Sequence, residues 1–289
     1  MYGFSRNMTQ IRYAARVFFL WIGSRQPSVL WHCLTDNVRY VLVKRGVPSG
    51  AAQHVAQIRA EFKENAAHGQ FNAIYFDVDD WNIVQWCLTL SKIFNRADPV
   101  RILEIGSWEG RSALFFLTYF TQGHLTAVDQ WDSSDDHVDG DHHYNAALDL
   151  PNSEARFDRN VAPYAARLTK RKGSSLHVLP QLLDENQKFD VIYVDGSHFA
   201  DDVLTDGINA WRLLKRGGIM IFDDLLWACY PRARANPAWA INLFLRYQNG
   251  EYNVLNAFYQ IILQKKRIFT DRQSTDVIDS QFARATATT

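Results

Sequence analysis

Apolar and polar positions alternate along the chain in short blocks rather than in one long apolar run. Residues 191–194 (Val-Ile-Tyr-Val) and 219–222 (Ile-Met-Ile-Phe) are apolar, and each run stops at acid: Asp195 after the first, Asp223-Asp224 after the second. Short apolar runs closed by turn chemistry predict strands of a buried parallel sheet. Between them Val203, Leu204, Ile208, Trp211 and Leu214 recur at helical spacing, predicting a helix over 201–214. Lys215 and Arg216 fall in its last turn, with Gly217-Gly218 as the stop. A right-handed crossover puts both acidic strand ends on the rim where open α/β sheets take ligands.

The same pattern extends in both directions. A strand over 100–105 meets the turn Gly106-Ser107-Trp108-Glu109-Gly110, then a helix over 113–119 and a strand over 125–129 ending at Asp129. Residues 154–168 predict a helix interrupted by Pro163, and residues 176–183 another, entered through Gly173-Ser174-Ser175. A helix over 238–247 stops at Asn249-Gly250, and two strands, 252–257 and 258–265, follow with almost no turn between them. Towards the N-terminus, apolar stretches at 11–22 and 29–43 are broken at Pro48-Ser49-Gly50 before a helix over 51–64. An amphipathic helix over 80–94 carries Trp81, Val84, Leu88 and Ile93. The organisation expected is a helical N-terminal region at 1–70, an α/β domain at 71–269 and a polar tail at 270–289.

Composition narrows the partners more than the fold. The 289 residues suffice for one good-sized core with a small addition. Lys plus Arg equals Asp plus Glu, 31 each, which argues against a nucleic acid or other polyanion as partner. Cys33, Cys87 and Cys229 are widely spaced and form no metal or disulfide pattern, as expected in a reducing, cytoplasmic setting. The apolar run at 17–22 is bracketed by Arg16 and Arg25 and is too short to span a bilayer. Two readings of the N-terminal region stand: a cap packed on the main domain, or a membrane-surface contact with Arg6, Arg12 and Arg16 facing anionic lipid.

The candidate chemistry lies at the strand ends. Asp195, Asp223 and Asp224 would converge if their strands are neighbours about 4.8 Å apart. Carboxylates so placed repel one another, and a hard divalent cation such as Mg²⁺, Mn²⁺ or Ca²⁺ resolves the conflict. The plainer alternative is that acids end strands because they suit turns and caps. His198 beside a metal-held hydroxyl would serve as general base; otherwise it is a surface-loop histidine. Gly106 allows a positive φ or close ligand approach, the following helix offers free N–H groups, and Asp129 can hold ribose hydroxyls. The GxGxxG spacing of nicotinamide enzymes is absent. The polar loop 130–144 has a calcium-like run at Asp135, His137, Asp139 and Gly140, but Ala146 stands where the required glutamate would be. Zinc held by His137, His142 and His143 lacks clear ligand spacing, and a lid or substrate loop fits the segment better.

Glu104-Ile105-Gly106-Ser107-x-x-Gly110-x-Ser112, Val128-Asp129, Gly173-Ser174-Ser175, Asp195-Gly196-Ser197-His198 and Gly217-Gly218-x-x-x-Phe222-Asp223-Asp224 occur in that order. The ordered set resembles the class I S-adenosylmethionine-dependent methyltransferases, within the O-methyltransferase-like group of macrocin and cephalosporin-hydroxylase type, over residues 74–266. The resemblance implies a Rossmann-like α/β fold with a seven-stranded, mostly parallel sheet in the order 3-2-1-4-5-7-6. It implies S-adenosylmethionine held by Glu104, Gly106, Ser107, Gly110, Ser112, Asp129, Ser174, Ser175 and Asp195. It further implies Mg²⁺ on Asp195, Asp223 and Asp224, with Asp195 and His198 catalytic, and a small-molecule or glycan hydroxyl as methyl acceptor. Two rival readings are a non-catalytic cofactor-binding or membrane-associated partner protein and an NAD-dependent oxidoreductase, the latter disfavoured by the missing GxGxxG.

Overall fold

The computed structural model describes residues 27–44, 49–71, 80–131, 152–227 and 230–266. Outside them lie Arg6, Arg12 and Arg16, the loop positions His137, His142 and His143, Cys229 and the tail at 270–289. The chain enters through α1 (Pro27–Lys44), α2 (Gly50–Ala66) and α3 (Asp80–Leu90). It then runs β1 (Arg101–Ile105), α4 (Arg111–Tyr119), β2 (His124–Asp129), α5 (Ser153–Val161) and β3 (Leu168–Lys172). Next come α6 (Ser175–Asp184), β4 (Phe189–Val194), α7 (Ala200–Leu213) and β5 (Leu214–Phe222). It closes with α8 (Pro237–Tyr247), β6 (Tyr252–Ala257) and β7 (Ile261–Lys265).

The strands form one seven-stranded sheet in the order β3-β2-β1-β4-β5-β7-β6, as the resemblance implied. β1 to β5 pair in parallel, while β7 runs antiparallel to both β5 and β6. The central strands are buried on both faces, which is why their sequences are continuously apolar. One face carries a core with Leu103, Ile192, Met220 and Phe222; the other packs Ile102, Val191, Tyr193 and Ile221 against an aromatic group that includes Trp86, Phe115 and Phe116. The N-terminal helices join these cores directly: Val29 and Cys33 of α1 enter the first, Val55, Ile58 and Phe62 of α2 the second. Ser49 caps α2 through its hydroxyl, which accepts from the Ala52 N–H at 3.1 Å.

Three local expectations need correcting. β3 replaces the end of the predicted 154–168 helix: the α-helix stops at Val161, a 3₁₀ turn over Ala162–Arg167 carries Pro163, and Leu168 begins the strand. Pro163 has no N–H for a continuing helix, and β3, an edge strand with half-exposed residues, lacks the apolar run that marks the inner strands. Gly217-Gly218 does not stop α7. The helix ends at Leu213, Leu214 is already extended, and residues 215–218 belong to β5, opposite a register shift between Phe189 and Val191. Lys215 there pairs with Asp190 at 2.9 Å instead of closing a helical turn. Finally, a three-residue turn, 258–260, separates β6 from β7 and leans on the rim, where the Leu225 N–H donates to the Tyr259 carbonyl at 2.8 Å.

Candidate active site

The C-terminal ends of the strands are laced together past their last paired residues. Asp195 N–H donates to the Ile105 carbonyl at 2.8 Å, Asp223 N–H to Val194 at 3.0 Å, Gly106 N–H to Val128 at 2.8 Å and Gly173 N–H to Asp129 at 2.8 Å. One rim therefore presents, in spatial order, Gly173, Asp129, Gly106, Asp195 and Asp223.

Gly106 sits at φ +83°, and a Cβ there would lie 1.9 Å from the Asp195 carbonyl oxygen. Only glycine lets the β1 turn lie this close to the β4 turn. Gly110, at φ +81°, leads into α4 against Phe157 and Val161. Glu104, the fourth residue of β1, is fully buried, and neither of its oxygens has a hydrogen-bond partner of normal geometry. Ser107 Oγ likewise makes no hydrogen bond of normal geometry. Burial pushes Glu104 up to about 7, with the Ser107 and Ser112 hydroxyls offsetting only part of the rise and the Asp129 charge adding to it. A buried acid and hydroxyl left unpaired beside a glycine turn suit a cationic or donor-bearing ligand group.

The carboxylate of Asp129 folds this turn. One oxygen accepts from the Ser107 and Trp108 N–H groups at 2.7 and 2.8 Å, and the other from Trp131 N–H at 2.6 Å. A ribose would have to share or displace these bonds. Glu109, between the two glycines, is turned away into an ion pair with Arg156 of α5 at 2.7 Å. Ser174 is the N-cap residue of α6, and Ser175 donates its hydroxyl to Asp206 of α7 at 3.0 Å. Asp206 is buried below Gly196, with its second oxygen unpartnered.

On the other side of Gly106 two of the three acids, Asp195 and Asp223, converge, with Tyr193 between them. The Tyr193 hydroxyl contacts Asp195 Oδ2 at 2.9 Å and also bonds Asp223 Oδ2. Asp195 and Asp223 are both raised, first by desolvation and then by neighbouring carboxylate charge, Asp223 and Asp224 acting on the former and Asp224 on the latter. Asp224, at φ +58°, points elsewhere: its Oδ2 lies 2.9 Å from His198 Nε2. The His198 ring stacks on Trp227 with centroids 4.6 Å apart, and Trp227 meets Tyr230 edge-on at 4.7 Å. Among the described residues no three His, Cys, Asp or Glu side chains are arranged as a ready-made metal cage. Tyr193, Trp227, Gln260 and Asp206 were not found by sequence reasoning. Tyr193 reads as one more apolar strand residue, and Gln260 as part of an unbroken terminal strand.

Glu104 and Asp206 set an expected pH dependence. Burial raises both to about 7 from ordinary values of 4.5 and 3.8. The folded chain thus holds more protons than the unfolded chain between about pH 4 and 7, so stability falls as pH rises through that window and levels off above it. Thermal unfolding of the ligand-free chain between pH 5 and 8 should show a falling Tm that flattens above neutrality. The double variant Glu104→Gln, Asp206→Asn should lose part of that slope, and the raised carboxylates Asp195 and Asp223 keep the rest.

A glycine turn over β1, an acid closing β2 and acids closing β4 and β5, on a sheet of this order, form an arrangement similar to that of the class I S-adenosylmethionine-dependent methyltransferases. In agreement, residues 103–225 match the family described as a methyltransferase domain. Mycinamicin VI 2''-O-methyltransferase of Micromonospora griseorubida is 27% identical over 143 residues, spanning 47% of this chain and 30% of that protein. O-methyltransferase hkm8 of Aspergillus hancockii is 29% identical over 140 residues, 48% of each chain. The chain thus spans less than half the length of these curated relatives. The solved structure of MycE methyltransferase, in complex with Mg, SAH and mycinamycin VI, matches in fold with a TM-score of 0.51 at 18% identity, covering 73% of this chain and 57% of that one. Among the described residues no helix is long and apolar enough to cross a membrane.

Proposed function

We propose that the chain transfers a methyl group from S-adenosylmethionine to a hydroxyl of a small molecule or glycan, with a divalent cation assisting. The observation that carries the reading is the division of the rim at Gly106. On one side lie an unpaired buried acid and a glycine turn; on the other lie Asp195, Asp223 and Asp224 beside His198. The first side fits the cofactor: Glu104 and Ser107 have unpaired polar atoms for its methionine end, while Gly106, Gly110 and Ser112 line the turn. Asp129 and Ser174 or Ser175 would take the ribose and adenine ends, and Asp195 closes the site. The second side fits a hard cation, because an all-oxygen set of mutually repelling carboxylates favours Mg²⁺ or Mn²⁺ over softer metals.

When bound, S-adenosylmethionine supplies an electrophilic methyl and the cation lowers the pKa of the acceptor hydroxyl. The chain's own groups supply position and a base. Asp224 accepts from His198 Nε2–H, which makes Nδ1 the basic nitrogen of the neutral ring. The stacked Trp227 holds the ring plane, and His198 removes the hydroxyl proton as the oxygen attacks. Helices α1 and α2, which contribute to both cores, serve in this reading as a cap on the domain rather than a membrane contact, and the protein works in the cytoplasm. The test is transfer of labelled methyl from S-adenosylmethionine to a panel of hydroxyl-bearing glycosides and phenols. Label should enter an acceptor, stop with EDTA and return with Mg²⁺ or Mn²⁺. Full transfer in EDTA would remove the cation from the mechanism, and label on nitrogen or carbon would contradict hydroxyl transfer.

A further inference from the structure

Beneath the rim a chain of hydrogen bonds runs from α3 through the β6–β7 turn to the ends of β4 and β5. Its direction can be read bond by bond. Trp86 Nε1 can only donate, and it donates to Gln260 Oε1 at 2.8 Å. That bond fixes which end of the Gln260 amide is oxygen, so Nε2 must face the other way. There it donates to Asp223 Oδ2 at 2.8 Å and lies 3.5 Å from the Tyr193 hydroxyl. Tyr193 in turn contacts both Asp223 and Asp195. The other Asp223 oxygen accepts the Asp224 N–H at 2.8 Å, so both of its oxygens are held. Trp86, Gln260 and Tyr193 are each at most 2% exposed.

We infer that Trp86, Gln260 and Tyr193 are positioning residues that hold the Asp195 and Asp223 carboxylates in a fixed orientation for a hard divalent cation. The inference rests on the metal-assisted reading above and adds to it the groups that prepare the site. Packing alone gives no reason for this chemistry, because an indole, an amide and a phenol buried together cost desolvation that apolar residues of like size would avoid. Each donor here points toward the two carboxylates, directly or through one neighbour. Tyr193 has a single hydroxyl proton to offer two carboxylates, so a further proton or a cation must stand where they meet. Groups that orient metal ligands are typically worth about 10–100-fold in metal affinity.

The experiment is Mn²⁺ binding to the full chain, followed by electron paramagnetic resonance, with S-adenosylhomocysteine affinity measured in parallel by calorimetry. Gln260→Met and Tyr193→Phe should each weaken Mn²⁺ binding by about 10–100-fold and change S-adenosylhomocysteine affinity far less. Trp86→Phe keeps an aromatic ring in the core but frees the amide to rotate, so it should weaken Mn²⁺ binding in the same direction and by less. This variant also guards against misfolding in the other two. Unchanged Mn²⁺ affinity in all three variants, with the parent chain binding the ion, would overturn the inference and leave the metal reading standing. Parallel loss of both ligands would overturn it too, by showing a purely structural role. A parent chain that binds no Mn²⁺ would instead overturn the metal reading beneath it.

Discussion

Gly106→Ala is expected to destabilise the chain by about 3 kcal/mol or more and to abolish measurable S-adenosylhomocysteine binding. The added methyl would sit 1.9 Å from the Asp195 carbonyl oxygen, 2.4 Å from its carbon and 2.6 Å from Gly196 Cα. All three are backbone atoms, so no side chain can swing aside. Nor can the two turns part cheaply, because Asp195 N–H is bonded to the Ile105 carbonyl directly before Gly106. The positive φ adds its own penalty. Gly250→Ala is the control: it has φ +90° with nothing within 4 Å of its Cβ, and should cost only the backbone term, about 1–2 kcal/mol. Urea unfolding of both variants, with calorimetry on the folded fraction, separates steric collision from backbone strain. Equal losses in the two would mean that the β1 and β4 turns do not press together as described.

His198→Ala should lower turnover by about 100-fold or more while S-adenosylhomocysteine binds as before. The imidazole lies on the acid side of Gly106, where its contacts include Asp224 and Trp227. Removing it takes away a base without touching the surfaces assigned to the cofactor. Asp224→Asn should give a smaller loss, since the amide oxygen can still accept from His198 Nε2–H. A fully active His198→Ala enzyme would show that another group takes the proton.

The inner strands and the helices between them were legible because burial on both faces leaves an unbroken apolar signature in 191–194 and 219–222. β3 was not, because it is an edge strand whose Lys170, Arg171 and Lys172 pair outward with Glu154, Asp158 and Glu185. Its residues carry the charge pattern of a helix surface. The two glycines before Ile219 misled for a related reason. Gly217 does adopt a positive φ, at +80°, but inside an irregular stretch of strand rather than at a helix end. In the site, the acids and glycines were readable because each ends a strand, and strand ends meet on one rim. Asp223 and Asp224 could not be told apart by position, yet the chain reversal at Asp224 sends one to Tyr193 and the other to His198. Tyr193 and Gln260 carry no local signal at all, since their roles come from partners brought together only by the pairing of β4, β5 and β7.

The most direct test of the central claim is calorimetric titration of the chain with S-adenosylhomocysteine and, separately, with NAD. One S-adenosylhomocysteine should bind per chain, with affinity weakened by Asp129→Ala and by Glu104→Gln, and NAD should not bind. A chain that takes up NAD and not S-adenosylhomocysteine would contradict the assignment of the rim to methyl transfer.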